Sequence, residues 1–297
     1  MIEVAIIGPT ASGKSEAAIN IAQKHGAYIL SLDSLSVYKE VDIASAKPSK
    51  NELLCVRHFG IDVIYPDEAF NAAMFMDEYE KAKAEALKHG KNLVIVGGSS
   101  FYLKAMMDGL TDMPPISDVS RQKANEAVSR NTIEAYEYLA LIDHGYAANI
   151  KNSDGYRIGR GLEMFFEFGR PPSELFASLP KKAVADGLKV YEIIVDRDIL
   201  RERIALRTAK MFELGIVEEA EYLASRYGRD TKPIGSIGLK ETLAYIDGDI
   251  SRQACEELIN IHTSQLAKRQ STFNKTQLSA TFRGVKDDVY SELQKLF

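Results

Sequence analysis

The sequence predicts an α/β protein in which a parallel sheet core is interrupted by a helical insertion domain. Three observations predict it. Short apolar runs alternate with longer helix-forming stretches over the first hundred residues. A glycine-rich loop joins the first apolar run to the first helix. Strand signals then vanish between about residues 112 and 182 and return afterwards. Strands that are apolar on both faces and separated by helices pair in parallel, because each crossover helix covers a face and returns the chain to the same end of the sheet.

Taken in order, Val4-Ala5-Ile6-Ile7 reads as a buried strand and Lys14 to His25 as a helix. Ala27 to Leu32 is a second strand, and residues 59–64 form a third, weaker one. Asn71 to His89 is rich in Ala, Glu, Lys and Met, with Gly90 where a C-terminal cap belongs. Asn92 to Val96 is the fourth strand. The turn cluster Thr111-Asp112-Met113-Pro114-Pro115 ends this pattern, and Val119 to Phe168 is helix-like up to Gly169-Arg170-Pro171-Pro172. A strand returns at Leu188 to Val195, followed by helical sequence and a last β-like run at Leu278 to Phe282. The expected organisation is a core of residues 1–111 and 183–297, with a C-terminal helical region, around an insertion of residues 112–182.

Composition bounds the function classes. With 297 residues, 45% apolar and 27% charged, the chain can bury a sizeable core without disulfides or structural metal. Cys55 and Cys255 form no C-x-x-C pair, so a zinc ribbon and a disulfide scaffold are both excluded, and the five histidines have no ligand-like spacing that would support zinc. Thirty-seven basic against 42 acidic residues leave a net charge of −5, which argues against bulk nucleic-acid binding but not against a local basic surface. No apolar run approaches the roughly 18 residues of a membrane span. The N-terminus enters a strand directly, so no signal peptide is expected, and the expected compartment is the cytoplasm.

Gly8-Pro9-Thr10-Ala11-Ser12-Gly13-Lys14-Ser15 satisfies G-x-x-x-x-G-K-[ST] between a strand and a helix. Such a loop curls so that successive N–H groups face phosphate oxygens. The lysine adds a positive point charge and the Ser15 hydroxyl suits Mg²⁺. The core is therefore P-loop NTPase-like, and its ligand is a polyphosphate. At the end of the second strand stands Asp33, where ligands of open α/β sheets collect. Three roles are open to it: capping backbone amides, holding Mg²⁺ through water, or acting as a general base. The fourth strand ends in Val96-Gly97-Gly98-Ser99 with no Asp, so the acid of a conventional ATPase is missing there. Gly97-Gly98 fits either close packing or close backbone approach to a ligand, with the Ser99 hydroxyl presented to it.

Together these stretches resemble the bacterial tRNA dimethylallyltransferase family, also called tRNA isopentenyltransferases. The resemblance rests on Gly8 to Ser15, on Asp33-Ser34 with Val37-Tyr38, and on Asp42-Ile43 with Ala46-Lys47-Pro48. It continues through Val96 to Ser99 with Tyr102-Leu103-Lys104, then Asn152-x-Asp154-x-x-Arg157-x-x-Arg160-x-Leu162-Glu163 and Arg203-Ile204-x-x-Arg207. Ile237-Gly238-x-Lys240-Glu241 and Gln265 to Gln270 complete it. Departures are Ser99 for the usual Thr, Ala44 and Ser45 for Gly and Thr, and Ser264, Phe273 and Lys275 for Arg, Trp and Arg.

The resemblance implies transfer of a dimethylallyl group from dimethylallyl diphosphate to N6 of adenosine 37 in tRNA. It implies Asp33 as general base, Ser99 and Arg207 contacting the diphosphate or aligning the reacting groups, and residues 8 to 15 with Mg²⁺ on the leaving diphosphate. It further implies tRNA contacts along Asp33, Ser34, Leu35 and Ser36, at Ser99 and Arg121, along Tyr156, Arg157, Ile158, Gly159 and Arg160, and along Gly235, Ser236, Ile237, Gly238, Leu239 and Lys240. No protein partner and no membrane are implied. The plain alternative for Arg157 and Arg160 is a solvated helix face with pairs such as Arg160–Glu163. Competing functions are a P-loop small-molecule kinase, a prenyltransferase acting on free adenine nucleotide, and an RNA-binding module without catalysis. The last would leave Asp33 and Ser99 without a role.

Overall fold

The computed structural model describes residues 1–297, which divide into two units, Met1–Asp108 with Ala183–Phe297, and Gly109–Lys182. In the first unit, α1 (Lys14–His25) and β2 (Ala27–Leu32) follow the sequence pattern residue for residue, and β1 (Glu3–Ile7) starts one residue before the expected strand. Then come α2 (Lys50–Cys55), β3 (His58–Phe59), α3 (Ala72–Lys88), β4 (Asn92–Gly97) and α4 (Ser100–Asp108). In the second unit, the two-residue strands β5 (Leu110–Thr111) and β6 (Lys181–Lys182) pair antiparallel. They bracket α5 (Asp118–Arg130), α6 (Thr132–Ile142), α7 (His144–Ala147), α8 (Gly155–Phe168) and α9 (Pro172–Ser178). The first unit resumes with β7 (Lys189–Ile193), α10 (Arg197–Leu214), α11 (Ile216–Tyr227), α12 (Leu239–Ile246), α13 (Arg252–Gln277), β8 (Phe282–Gly284) and α14 (Lys286–Leu296). No helix is long and apolar enough to cross a membrane.

Six strands form one sheet in the order β3-β2-β4-β1-β7-β8, and every pairing is parallel. Val4, Ala5, Ile6 and Ile7 are fully buried at its centre. Each large apolar side chain so buried contributes about 1.5–3 kcal/mol, enough to hold a five-residue strand in place. Register sets the ligand edge. Ile7 and Leu32 both pair with Gly97, so the chain leaves β1, β2 and β4 at one level. This level is reachable only because residue 97 lacks a Cβ, which would stand 1.9 Å from the Leu32 carbonyl oxygen.

Three expectations shift. The strand expected over residues 59–64 shrinks to His58–Phe59 plus an isolated Tyr38–Ile64 bridge, because Gly60 and Asp62 take left-handed φ of 72° and 55°. The run expected at Leu278 to Phe282 becomes β8 at Phe282–Gly284; α13 holds the chain until Gln277, and sheet contact starts where the Thr281 N–H donates to the Val190 carbonyl. The Gly-Arg-Pro-Pro stop is followed by one more helix, α9, with Pro172 in its first turn. Around the second unit's own core, Ala124, Ala135, Leu139, Ile158 and Leu162 are buried together. Ser117, Asn131, Asp143 and Asp154 each cap a helix start with a side-chain oxygen.

Replacing Gly97 by Ala should force β2 and β4 apart and cost at least about 3 kcal/mol, the upper range for overpacking. Denaturant unfolding checks this; a variant as stable as the parent would contradict the close approach.

Candidate active site

Beyond the shared level of β1, β2 and β4 opens a cleft of about 590 Å³. That is an ordinary size for a small-molecule site. Lys14, Asp33, Ser99 and Arg207 all line it, as do Val96, Met211, Ile259, Leu266 and Phe273. It is therefore polar at the sheet edge yet lined with aliphatic and aromatic groups as well.

The phosphate loop is shaped by left-handed φ at Ala11 (63°) and Gly13 (85°). Holding a non-glycine residue there costs energy, and such strain gathers where the loop must present its amides. Gly13 caps α1 without any side-chain hydrogen bond, so the first-turn N–H groups of this 12-residue helix remain open to an anion. Lys14 donates from Nζ to the Pro9 carbonyl at 3.1 Å, lying back along its own loop. Arg207, from α10, donates to Thr10 Oγ1 at 2.8 Å, and Arg203 reaches the Ser12 carbonyl at 3.5 Å. Two guanidinium groups nearly two hundred residues away thus brace the loop.

Asp33 turns the chain just past β2. Its Oδ1 accepts from the Leu35 N–H at 2.8 Å and the Ser36 N–H at 3.3 Å, while Oδ2 makes no hydrogen bond within the chain. One oxygen caps the turn, and the other has no hydrogen-bond partner in a residue that lines the cleft. Ser99 Oγ accepts from the Ser34 N–H at 3.0 Å, tying the exit of β4 to the residue after Asp33. Burial pushes the Lys14 ammonium down to about 8, with Arg207 adding to the effect and the Asp33 carboxylate opposing it. Burial also lowers Arg207, again opposed by Asp33. Two desolvated cations, each opposed by the same single carboxylate, describe a site short of negative charge.

Of the other residues singled out in the sequence, Ser34, Leu35, Ser36, Ser236 and Ile237 line the same cleft. Gly235 and Lys240 are exposed, whereas Gly238 and Leu239 are buried and begin α12. Arg121, Tyr156, Arg157, Ile158, Gly159 and Arg160 belong to the second unit. Within it Ile158 and Gly159 face the core, leaving Tyr156 and Arg157 exposed and Arg160 partly so. Arg121 pairs with Asp118, Arg157 with Asp154 and Arg160 with Glu163, all within one helix or its cap.

Residues that sequence reasoning passed over also line or support the cleft. Gln270 and Lys232 line it, and Lys232 donates to the Phe70 carbonyl at 3.0 Å while burial lowers its pKa. Glu219 accepts from the N–H groups of Asp42, Ile43 and Ala44 at 2.7–2.9 Å, pinning the loop that carries Ala44 to Pro48 into the cleft wall. Lys47 holds that loop from within, bridging Asp42 and Asp62. Gln270 carried a signal as part of the Gln265 to Gln270 stretch, and Lys47 as part of Asp42-Ile43 with Ala46-Lys47-Pro48, but neither stretch says what these side chains touch; Lys232 and Glu219 carried none.

Residues 36–277 match the family model described as IPP transferase. The tRNA dimethylallyltransferase of Sulfurovum sp. is 45% identical over 295 residues, spanning 99% of this chain and 96% of its own. That of Sulfurimonas denitrificans is 46% identical over 297 residues, spanning 99% and 100%. Among solved structures, the full-length tRNA isopentenylpyrophosphate transferase of Bacillus halodurans superposes with a TM-score of 0.71 at 27% identity, covering 99% of this chain and 95% of that one.

The Lys14 shift gives a test. A buried lysine with a lowered pKa costs stability at low pH, and that cost disappears as pH rises from about 8 towards 10.5. A bound polyanion restores the charged form, so affinity is fully present below about pH 8 and weakens above it. Calorimetric titration with inorganic pyrophosphate should show net proton uptake and a loss of about tenfold per pH unit over that range. Lys14→Met should abolish both. Identical pH profiles for the two proteins would remove Lys14 from the anion site.

Proposed function

The chain belongs to the IPP transferase family, and we propose that it transfers a dimethylallyl group from dimethylallyl diphosphate to N6 of adenosine 37 in tRNA. The observation that carries this reading is the single cleft in which a cationic phosphate loop meets an unpaired carboxylate oxygen and an apolar lining. A diphosphate ester of an isoprenoid needs the first and the third; an amine acceptor needs the second.

The chemistry follows from those groups. The N6 lone pair attacks C1 of the dimethylallyl group as the C1–O bond breaks, and the bonding electrons leave with the diphosphate. Negative charge grows on that oxygen, where Lys14, the first-turn amides of α1 and Arg207 oppose it; preorganised donors of this kind are the largest common source of rate enhancement. Asp33 Oδ2 takes the N6 proton, which an aromatic amine does not surrender unaided. Ser99 holds Asp33 in place through the Ser34 amide. The adenine must leave its stack to reach such a site.

Mg²⁺ fits this donor set. No cluster of three or more His, Cys, Asp or Glu side chains is present, whereas Ser15 lines the cleft with Asp33. Magnesium is commonly held by one or two protein oxygens plus substrate phosphates. Ser15 would hold it beside the diphosphate, where its charge would help neutralise the leaving group. For the tRNA we assign Asp33 to Ser36, Ser99, Gly235 to Lys240, and Arg121 with Tyr156 to Arg160 of the second unit. Arg157 spends its charge on a largely exposed pair with Asp154 that contributes little to stability, whereas the Glu163 partner of Arg160 is 12% exposed and leaves the guanidinium half-open to phosphate. The cytoplasm is the compartment where such a substrate is met.

Incubation with tRNA and dimethylallyl diphosphate, followed by nucleoside mass analysis, should yield a dimethylallylated adenosine without ATP. Product formed from a free adenine nucleotide instead, or ATP consumption with a small acceptor, would replace this reading with one of its competitors. Asp33→Ala should lower turnover by roughly 10²–10⁴-fold with little change in substrate binding; near-normal turnover would exclude it as the base. Replacing Arg157 and Arg160 together by Ala should flatten the salt dependence of tRNA affinity by about 0.7–0.9 log units per lost phosphate contact. Thermal unfolding should be nearly unchanged; an unaltered slope in a stable double variant would show that these arginines do not grip RNA.

A further inference from the structure

The carboxamide of Gln270, on α13, joins two segments that the sequence keeps far apart. Its Oε1 accepts from the Thr10 N–H at 2.9 Å, and its Nε2 donates to the Gly98 carbonyl at 3.0 Å. The first contact is to the phosphate loop and the second to the chain leaving β4. We propose that Gln270 is a positioning residue for the transfer reaction, a clamp that sets the distance between the diphosphate site and the Asp33–Ser99 pair. The inference rests on the function proposed above.

Both ends of the clamp lead to reacting groups within one residue. Thr10, whose amide Gln270 holds, accepts through Oγ1 from Arg207 at 2.8 Å. Gly98, whose carbonyl it holds, precedes Ser99, and Ser99 Oγ holds the Ser34 amide beside Asp33. A shift at either end therefore moves the leaving group relative to the base. Reacting atoms must come within about 3–3.5 Å, and a misplacement of about 1 Å can cost roughly 10²-fold in rate.

The residue type is dictated. The Thr10 N–H needs an acceptor, which excludes Lys and Arg, and the Gly98 carbonyl needs a donor, which excludes Glu. Asn carries both groups on a side chain one methylene shorter. Position 98 is matched to the clamp as well: a Cβ there would stand 2.4 Å from Gln270 Nε2. That close approach gives Gly98 a role distinct from that of Gly97, which answers to Leu32. With both amide atoms bonded to backbone, Gln270 acts through the groups it holds.

The test uses the full chain with Gln270→Ala and Gln270→Glu. In Gln270→Ala, hydrogen exchange at the Thr10 amide should accelerate by about tenfold or more, because its acceptor is gone. Its kcat should fall by about 10²-fold while KM for tRNA and dimethylallyl diphosphate stays within about threefold. Gln270→Glu keeps the acceptor but loses the donor to the Gly98 carbonyl, so Thr10 protection should persist while kcat still falls by about tenfold or more, and its carboxylate should also raise KM for dimethylallyl diphosphate. A role confined to packing α13 would lower melting temperature in Gln270→Ala without this split between variants. Unchanged Thr10 exchange or wild-type kcat in Gln270→Ala overturns the proposal. Should Gln270→Ala fail to fold, the isosteric Glu variant decides: a lowered kcat with Thr10 protection kept supports the clamp, and wild-type kcat overturns it. If the wild-type protein transfers nothing to tRNA, the proposed function fails, and Thr10 exchange still decides whether the clamp exists.

Discussion

The parallel register that brings Ile7, Leu32 and Gly97 to one level is the constraint on which the rest of the cleft depends. Side-chain positions past a strand end are inherited from where the strand stops. Because β1, β2 and β4 stop together, Gly8, Asp33 and Gly98 begin their loops side by side. The condition is local and steric: β2 and β4 approach so closely at Leu32 that no Cβ fits at 97. Moving one strand by a residue would turn its side chains to the opposite face and separate the loop from the carboxylate.

The cleft also reverses the charge character of the chain. The protein carries a net −5, yet its cleft holds Lys14 and Arg207 against the single carboxylate of Asp33. Desolvation makes both cations costly when nothing is bound, and a polyanion removes that cost. Much of the surrounding hydrogen bonding is spent on keeping these groups still. Arg207 and Gln270 brace Thr10, Ser99 braces the turn at Asp33, and Glu219 with Lys47 holds the loop from Asp42 to Pro48.

The helical second unit has a different economy. Its core is small and self-contained around Leu139, Ile158 and Leu162, and its helices are started by side-chain caps. Its arginines sit in short-range pairs, Arg157 with Asp154 and Arg160 with Glu163. The intrahelical pairing that a plain reading of the helix suggests is therefore present, and the exposed guanidinium of Arg157 can still exchange its partner cheaply.

Local patterning was enough for much of this molecule. The apolar runs and their breakers marked β1, α1, β2 and β4 to within a residue, and the G-x-x-x-x-G-K-S spacing located the phosphate loop, because these features depend on neighbours in the chain. Asp33 and Ser99 were legible as strand-end residues for the same reason. The two-residue strands β5 and β6 were not, since exposed Lys181-Lys182 has no strand signal of its own. Nor was the left-handed backbone at Asp62, which cut short the strand expected there. Gln270 meets Thr10 across 260 residues, Arg207 meets Thr10 across 197 and Glu219 meets Ile43 across 176. The sequence alone determined which cationic, acidic and hydroxyl groups stand at the strand ends and in the glycine-rich loop. Only the tertiary structure decided which of them face one another, because long-range contacts are set by how strands and helices pack, and no local spacing encodes that.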